Sequence, residues 1–169
     1  GERALQSRIA GMEWRQSYSI GNNFYAARAA VPDGTRRAAF EAYIDDPMDG
    51  AKPLEIVDAL ARLKKGELLS PESTQLLLGI MSNTRTGPQR LKGGLRGGWK
   101  LAHKTGTGQV YRGEQAGYND IGILTAPDGR SYAVAVMIRR TSTPNINRMR
   151  TMQETVGAVI DYVENMRDP

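Results

Sequence analysis

The sequence predicts a mixed α/β fold of the α+β kind, an antiparallel sheet flanked by helices. Three observations predict it. Helical periods and helix caps dominate the first half of the chain. Three β-rich runs follow between Trp99 and Ile138, and one long amphipathic segment closes the chain. Helices packed on a short run of strands bury a sheet face that the strands alone would leave wet.

Taken in order, residues 1–14 read as a helix, because Leu5, Ile9 and Met12 fall at i, i+4 and i+7. Residues 15–52 show no sustained period. They carry turn signals at Gly21-Asn22-Asn23, Pro32-Asp33-Gly34, Asp45-Asp46-Pro47 and Asp49-Gly50, with a short helix expected around Arg36–Tyr43. An irregular stretch this long is uncommon in a compact chain and is often functional. Pro53 then opens a helix whose apolar face is Ile56, Leu60 and Leu63 and whose end is marked by Lys64-Lys65-Gly66. Ser70-Pro71-Glu72 caps the next helix, for which Leu76, Leu77, Ile80 and Met81 are the expected buried face. After a Gly-rich basic connection, strands are expected at Trp99–Thr105, Asp120–Thr125 and Tyr132–Ile138, the last two joined by Pro127-Asp128-Gly129 as a hairpin. Asn147–Met166 is the closing helix, with Met149, Met152, Val156, Val159 and Val163 in one stripe.

Composition narrows the chemistry. The chain has 169 residues, no cysteine, one histidine (His103) and a formal charge of +5 from 23 basic and 18 acidic residues. Thiol catalysis, disulfides, Fe–S clusters and Cys-based zinc sites are excluded, and one histidine excludes a multi-His metal centre. No cofactor or metal is expected. The basic residues are scattered, whereas a nucleic-acid surface concentrates them. No run reaches about 18 apolar residues, so no membrane-spanning helix is expected.

The sharpest local feature is His103-Lys104-Thr105-Gly106-Thr107-Gly108, at the end of a strand. A strand edge can bind an extended, amide-like substrate by adding it as a further strand. Lys104 sets a charge near a substrate carboxylate, and Thr105 adds a directed hydroxyl. Gly106 permits close approach, and the N–H of Thr107 can meet a developing oxyanion.

Neighbouring motifs enlarge this picture. Thr86-Gly87-Pro88-Gln89-Arg90-Leu91-Lys92-Gly93 precedes the strand; Asn119-Asp120-Ile121-Gly122 and Pro127-Asp128-Gly129-Arg130 follow it. This ordered set resembles the class A serine β-lactamases, in the branch reading TG-x-x-RLKG, AHKTGT, NDLG and LLPDGR, and Lys-Thr-Gly is shared with penicillin-binding proteins. The resemblance covers Pro53–Tyr162 and, more loosely, Gly1–Met12.

That resemblance implies a β-lactamase/transpeptidase-like fold. Residues 1–98 would be the remainder of a helical domain with an extended Ω-like loop at about 15–52, and residues 99–169 the C-terminal part of the α/β domain. It implies catalytic roles for Lys104 and Thr107, substrate binding by Thr105, Gly106 and Thr107, and Arg90 as a guanidinium holding the substrate carboxylate. His103 is expected to be a hydrogen-bonded structural residue, and Trp14 and Trp99 packing residues. The implied ligand is a β-lactam or a D-Ala-D-Ala-like peptide, the implied location the bacterial periplasm or exterior, and the implied context antibiotic resistance.

Two departures qualify the resemblance. No serine in the chain has lysine three residues later, and Ser-x-Asn is absent too. The chain is therefore expected to be an incomplete C-terminal portion, inactive by itself, whose partner is a missing N-terminal portion carrying the nucleophile. Secondly, the family's deacylating Glu-x-x-x-Asn, counted back from Pro53, lands on Arg36 and Phe40. Glu41, ahead of Glu13, is the nearby carboxylate for that role. Without such a base an acyl-enzyme persists, as in a penicillin-binding protein. A D,D-peptidase, a slow esterase, or a degenerate relative that binds peptidoglycan-like peptides or a protein partner are the alternatives.

Overall fold

The computed structural model describes residues 2–166 and resolves into two compact units. Gly1, the expected first residue of the opening helix, lies outside the described residues. The first unit comprises Gly1–Gly50, Gly108–Gly117 and Arg139–Ser142; the second comprises Ala51–Thr107, Tyr118–Ile138 and Thr143–Pro169.

In the first unit, α1 (Glu2–Ile9) is shorter than the sequence predicts. The stretch read as a loop is largely helical: a 3-10 turn at Gln16–Ser19, then α2 (Asn23–Ala29) and α3 (Asp33–Asp45). On α3, Arg36, Phe40 and Ile44 recur at i, i+4 and i+8 and are buried. The short helix expected at Arg36–Tyr43 is therefore present and longer at both ends, with a buried arginine opening its apolar period. Arg36 Nη1 donates to Gln109 Oε1 at 3.0 Å, and Gln109 Nε2 donates to Gln6 Oε1 at 2.7 Å. Phe40 and Ile44 close a small core with Ala116, Tyr43 and Tyr111. A short strand β2 (Val110–Tyr111) pairs with the first residues of β3 (Glu114–Thr125). Arg112 and Gly113, both at positive φ, form the two-residue turn, the backbone that right-twisted strands favour.

In the second unit, α4 (Pro53–Lys64) and α5 (Pro71–Ser82) begin at the expected prolines, and Ser70 Oγ caps α5 by accepting from the Ser73 N–H. The expected burial of α5 is corrected. Met81 is buried and Leu78 packs partly against Leu60, Leu63 and Ile123, but Leu76 is 66% exposed and Ile80 60%. The helix presents its Leu78/Met81 side to that cluster. Its Leu76/Ile80 side, with Glu72, Gln75, Gly79 and Asn83, lines an open groove of about 740 Å³. Strand β1 (Lys100–Thr107) pairs antiparallel with β3, and β4 (Ser131–Thr141) pairs with β3 on the far side of the Pro127-Asp128-Gly129 turn. Helix α6 (Asn145–Asn165) lays Met152, Val156, Ile160 and Val163 onto Leu91, Trp99, Leu101, Tyr118, Leu124 and Val134, which form the main core. Trp99 belongs to this core, while Trp14 is half-exposed. No helix among the described residues is long and apolar enough to cross a membrane.

Candidate active site

Strand β1 pairs with β3 alone, so its other edge has no strand partner among the described residues. Thr84, just after α5, donates its hydroxyl to the His103 carbonyl at 2.7 Å. In an antiparallel ladder alternate residues turn N–H and C=O to the same side, which places the backbone groups of Thr105 and Thr107 along the edge that Thr84 meets. Lys104 is exposed, with Nζ donating to the Thr105 carbonyl at 2.6 Å. Lys104, Thr105, Gly106 and Thr107 are therefore consecutive on the last half of one strand, as the sequence places them.

The connection from Thr84 to Gly94 is fixed over this strand by side-chain bonds. Thr86 and Thr105 share a hydroxyl–hydroxyl bond of 2.7 Å. Gly87 has φ +61°, and a Cβ there would meet Thr105 Cγ2 at 2.7 Å, so only glycine lets the connection lie this close. Gln153 on α6 donates to the Gln89 carbonyl at 2.6 Å. Arg90 is only 8% exposed. Its Nη1 donates to the carbonyls of Gly106 (2.9 Å) and Asn119 (2.7 Å), its Nη2 to Thr107 Oγ1 (2.6 Å), and its guanidinium lies 3.8 Å from the Tyr118 ring centroid.

Below the same strand, His103 and Asp120 are both buried. His103 Nδ1 lies 2.9 Å from Asp120 Oδ1, and Asp120 Oδ2 accepts the Leu91 N–H at 3.2 Å. The expected structural histidine thus has its partner. Asp120 and Thr86 were not singled out from the sequence as site residues. The antiparallel register would have found Asp120, because His103 pairs with Gly122 and Thr105 with Asp120, which makes His103 and Asp120 diagonal neighbours on one face.

Glu41 lies on α3 in the first unit. Its carboxylate accepts from Arg140 Nη1 at 2.7 Å and Nη2 at 3.1 Å, and Arg140 also pairs with Glu114. The bond with Glu114, then that with Glu41, drives the Arg140 pKa further up, and Arg140 in turn holds the Glu114 carboxyl below its ordinary range.

A sheet edge ending in Lys-Thr-Gly-Thr, covered by helices and closed by a long C-terminal helix, defines a β-lactamase/transpeptidase-like class of protein. The sequence matches the beta-lactamase enzyme family over residues 1–163, so the chain belongs to that family. It is 44% identical over 82 residues to the extended-spectrum β-lactamase PER-1 of Pseudomonas aeruginosa, covering 48% of this chain and 27% of that protein. A β-lactamase of Mycobacterium tuberculosis is 37% identical over 95 residues, 56% of this chain and 29% of the relative. Among solved structures, the TLA-1 extended-spectrum β-lactamase superposes with a TM-score of 0.63 at 28% identity, covering 95% of this chain and 62% of that one. A PBP-A variant in an acyl-enzyme complex with penicillin G gives 0.58 at 25% identity, covering 76% and 52%. The chain spans about a quarter to a third of the curated relatives it matches.

Proposed function

We propose that this chain is the C-terminal part of a serine β-lactamase-type hydrolase. The observation that carries the reading is the free edge of β1, which ends in Lys104-Thr105-Gly106-Thr107 and is held in place by the Thr86 and Arg90 bonds. A serine outside these 169 residues attacks the lactam carbonyl carbon. The C–N bond breaks, the ring nitrogen takes a proton, and water then cleaves the acyl-serine ester. The N–H of Thr107 faces the developing oxyanion. Lys104 and the Thr105 hydroxyl face the substrate carboxylate, and Gly106 leaves room for the substrate backbone. Arg90 serves the same carboxylate through Thr107, whose hydroxyl it holds.

Glu41 is the proposed deacylating carboxylate, a role that requires its release from Arg140. That pairing, with the likeness to PBP-A, favours one second reading: a penicillin-binding D,D-peptidase-like protein in which the acyl-enzyme persists. The intact strand motif argues against a degenerate peptide- or partner-binding relative. The bare Leu76/Ile80 stripe of α5 is the surface we assign to the N-terminal portion that supplies the nucleophile. Membership of the family supports a location for the whole protein in the bacterial periplasm or outside the cell, and a role in β-lactam resistance. Lys104→Ala in the full-length protein tests the site. Acylation by a penicillin should slow by about 10²–10³-fold, the scale for losing an oriented charge at such a site. Unchanged acylation would remove β1 from the chemistry.

A further inference from the structure

Behind the candidate strand lies a buried pair that the proposed chemistry does not use. His103 is 1% exposed and Asp120 is 0%. A carboxylate only accepts, so the hydrogen between them sits on His103 Nδ1. The other ring nitrogen, Nε2, is buried and meets no hydrogen-bond partner among the described residues. A ring held by one nitrogen makes sense where the bond to Asp120 is itself what matters. Asp120 uses its second oxygen to accept the Leu91 N–H. Leu91 follows Arg90 directly, and Arg90 spans Gly106, Thr107 and Asn119. The tether is therefore continuous: His103 orients Asp120, Asp120 fixes the backbone at Leu91, and that backbone seats the guanidinium on the end of β1.

We propose that His103 is a positioning residue: through Asp120 and the Leu91 amide it sets where Arg90 grips the last residues of β1. Its ring takes no part in proton transfer to a substrate. Arg90 has no freedom to correct an error, since three protein acceptors fix its fork. A loosened Leu91 amide therefore displaces Thr107, whose hydroxyl Arg90 holds. The inference rests on the bonds within this chain, and it stands whether or not the strand edge binds a β-lactam.

The test uses the full-length protein and nuclear magnetic resonance. The imidazole signals of His103, assigned by their loss in His103→Asn, should show hydrogen on Nδ1; hydrogen on Nε2 alone would overturn the proposal. In His103→Leu, the Leu91 amide should exchange about tenfold faster and the Arg90 Nε–H signal should move, the scale for losing one charge-assisted hydrogen bond. The Val156 and Ile160 amides of α6 should keep their protection. In His103→Asn, whose amide nitrogen can donate from the place of Nδ1, Leu91 protection should return to within about threefold of the parent. Unchanged Leu91 exchange in a folded His103→Leu, or no rescue in a folded His103→Asn, would contradict the proposal. If His103→Leu does not fold, the imidazole spectrum and His103→Asn still decide. None of these readouts uses a β-lactam, so a failure here is distinct from a failure of the hydrolase reading.

Discussion

Gly122 shows how one absent side chain sets a strand spacing. It pairs with His103 in the ladder, and a Cβ there would meet the Ala102 carbonyl at 2.5 Å and His103 Cβ at 2.9 Å. Both neighbours belong to the facing strand, so the contact is relieved only by moving backbone. Gly122→Ala is expected to cost about 1–3 kcal/mol, the range for overpacking, and urea unfolding measures it. Arg90→Lys is expected to cost about 1.5–3 kcal/mol in the same assay, because one ammonium cannot serve the acceptors that the fork serves and leaves carbonyls unpaired. Tyr43 offers a pH measurement. Burial first, and its bond to Asp49 second, push its hydroxyl up to about 12. The folded value lies above the unfolded one, so the stabilisation is complete below about pH 10 and is lost as pH rises through about 12. Ultraviolet titration of the chain should show one tyrosine ionising last, and Tyr43→Phe should remove that step. At this scale the sequence made the Lys104–Thr107 run legible because four consecutive residues carry it. It hid the Asp120 and Thr86 bonds, which exist only once β1 meets β3 and the Gly-rich connection.

Elements tell a different story on the two sides of Pro53. Helices α4 and α5 were legible from their proline starts, and α6 from its apolar stripe. Helix α2, which is short, was not; α3 was expected only over Arg36–Tyr43 and runs further at both ends, its buried Arg36 paired with Gln109. Strand β3 begins six residues before its expected start, since Glu114 and Gln115 do not look like strand residues. Gln115 is nevertheless buried, and its Nε2 donates to the Gly108 carbonyl at 3.0 Å. Of the α5 stripe only Met81 is buried, while Leu76, Leu77 and Ile80 are exposed, because periodicity identifies a face but not what covers it. In the first unit, Arg140 joins α3 through Glu41 to β3 through Glu114. Glu114 is held below its ordinary range, so its contribution is present above about pH 4.3 and is lost as pH falls further through its folded value. Arg140→Ala should lower the unfolding midpoint at pH 7 and remove most of that acid dependence. An acid profile identical to the parent would contradict the assignment.

For the molecule as a whole, the main core lies in the second unit, where α6 covers β1, β3 and β4. Met152 is fully buried there, and Met152→Ala should cost about 2–5 kcal/mol, read as a shift of the denaturant midpoint. That core holds the strand on which the functional reading rests, and the sequence motifs within it carry the family resemblance. The hydrolase reading is tested most directly by the mass of the full-length protein after exposure to a penicillin, followed over time beside substrate consumption. A penicilloyl adduct on a serine upstream of this chain, or turnover through it, is expected, and for Lys104→Ala a large slowing of both. A wild-type protein that is folded yet neither gains the adduct nor consumes the penicillin would contradict that reading.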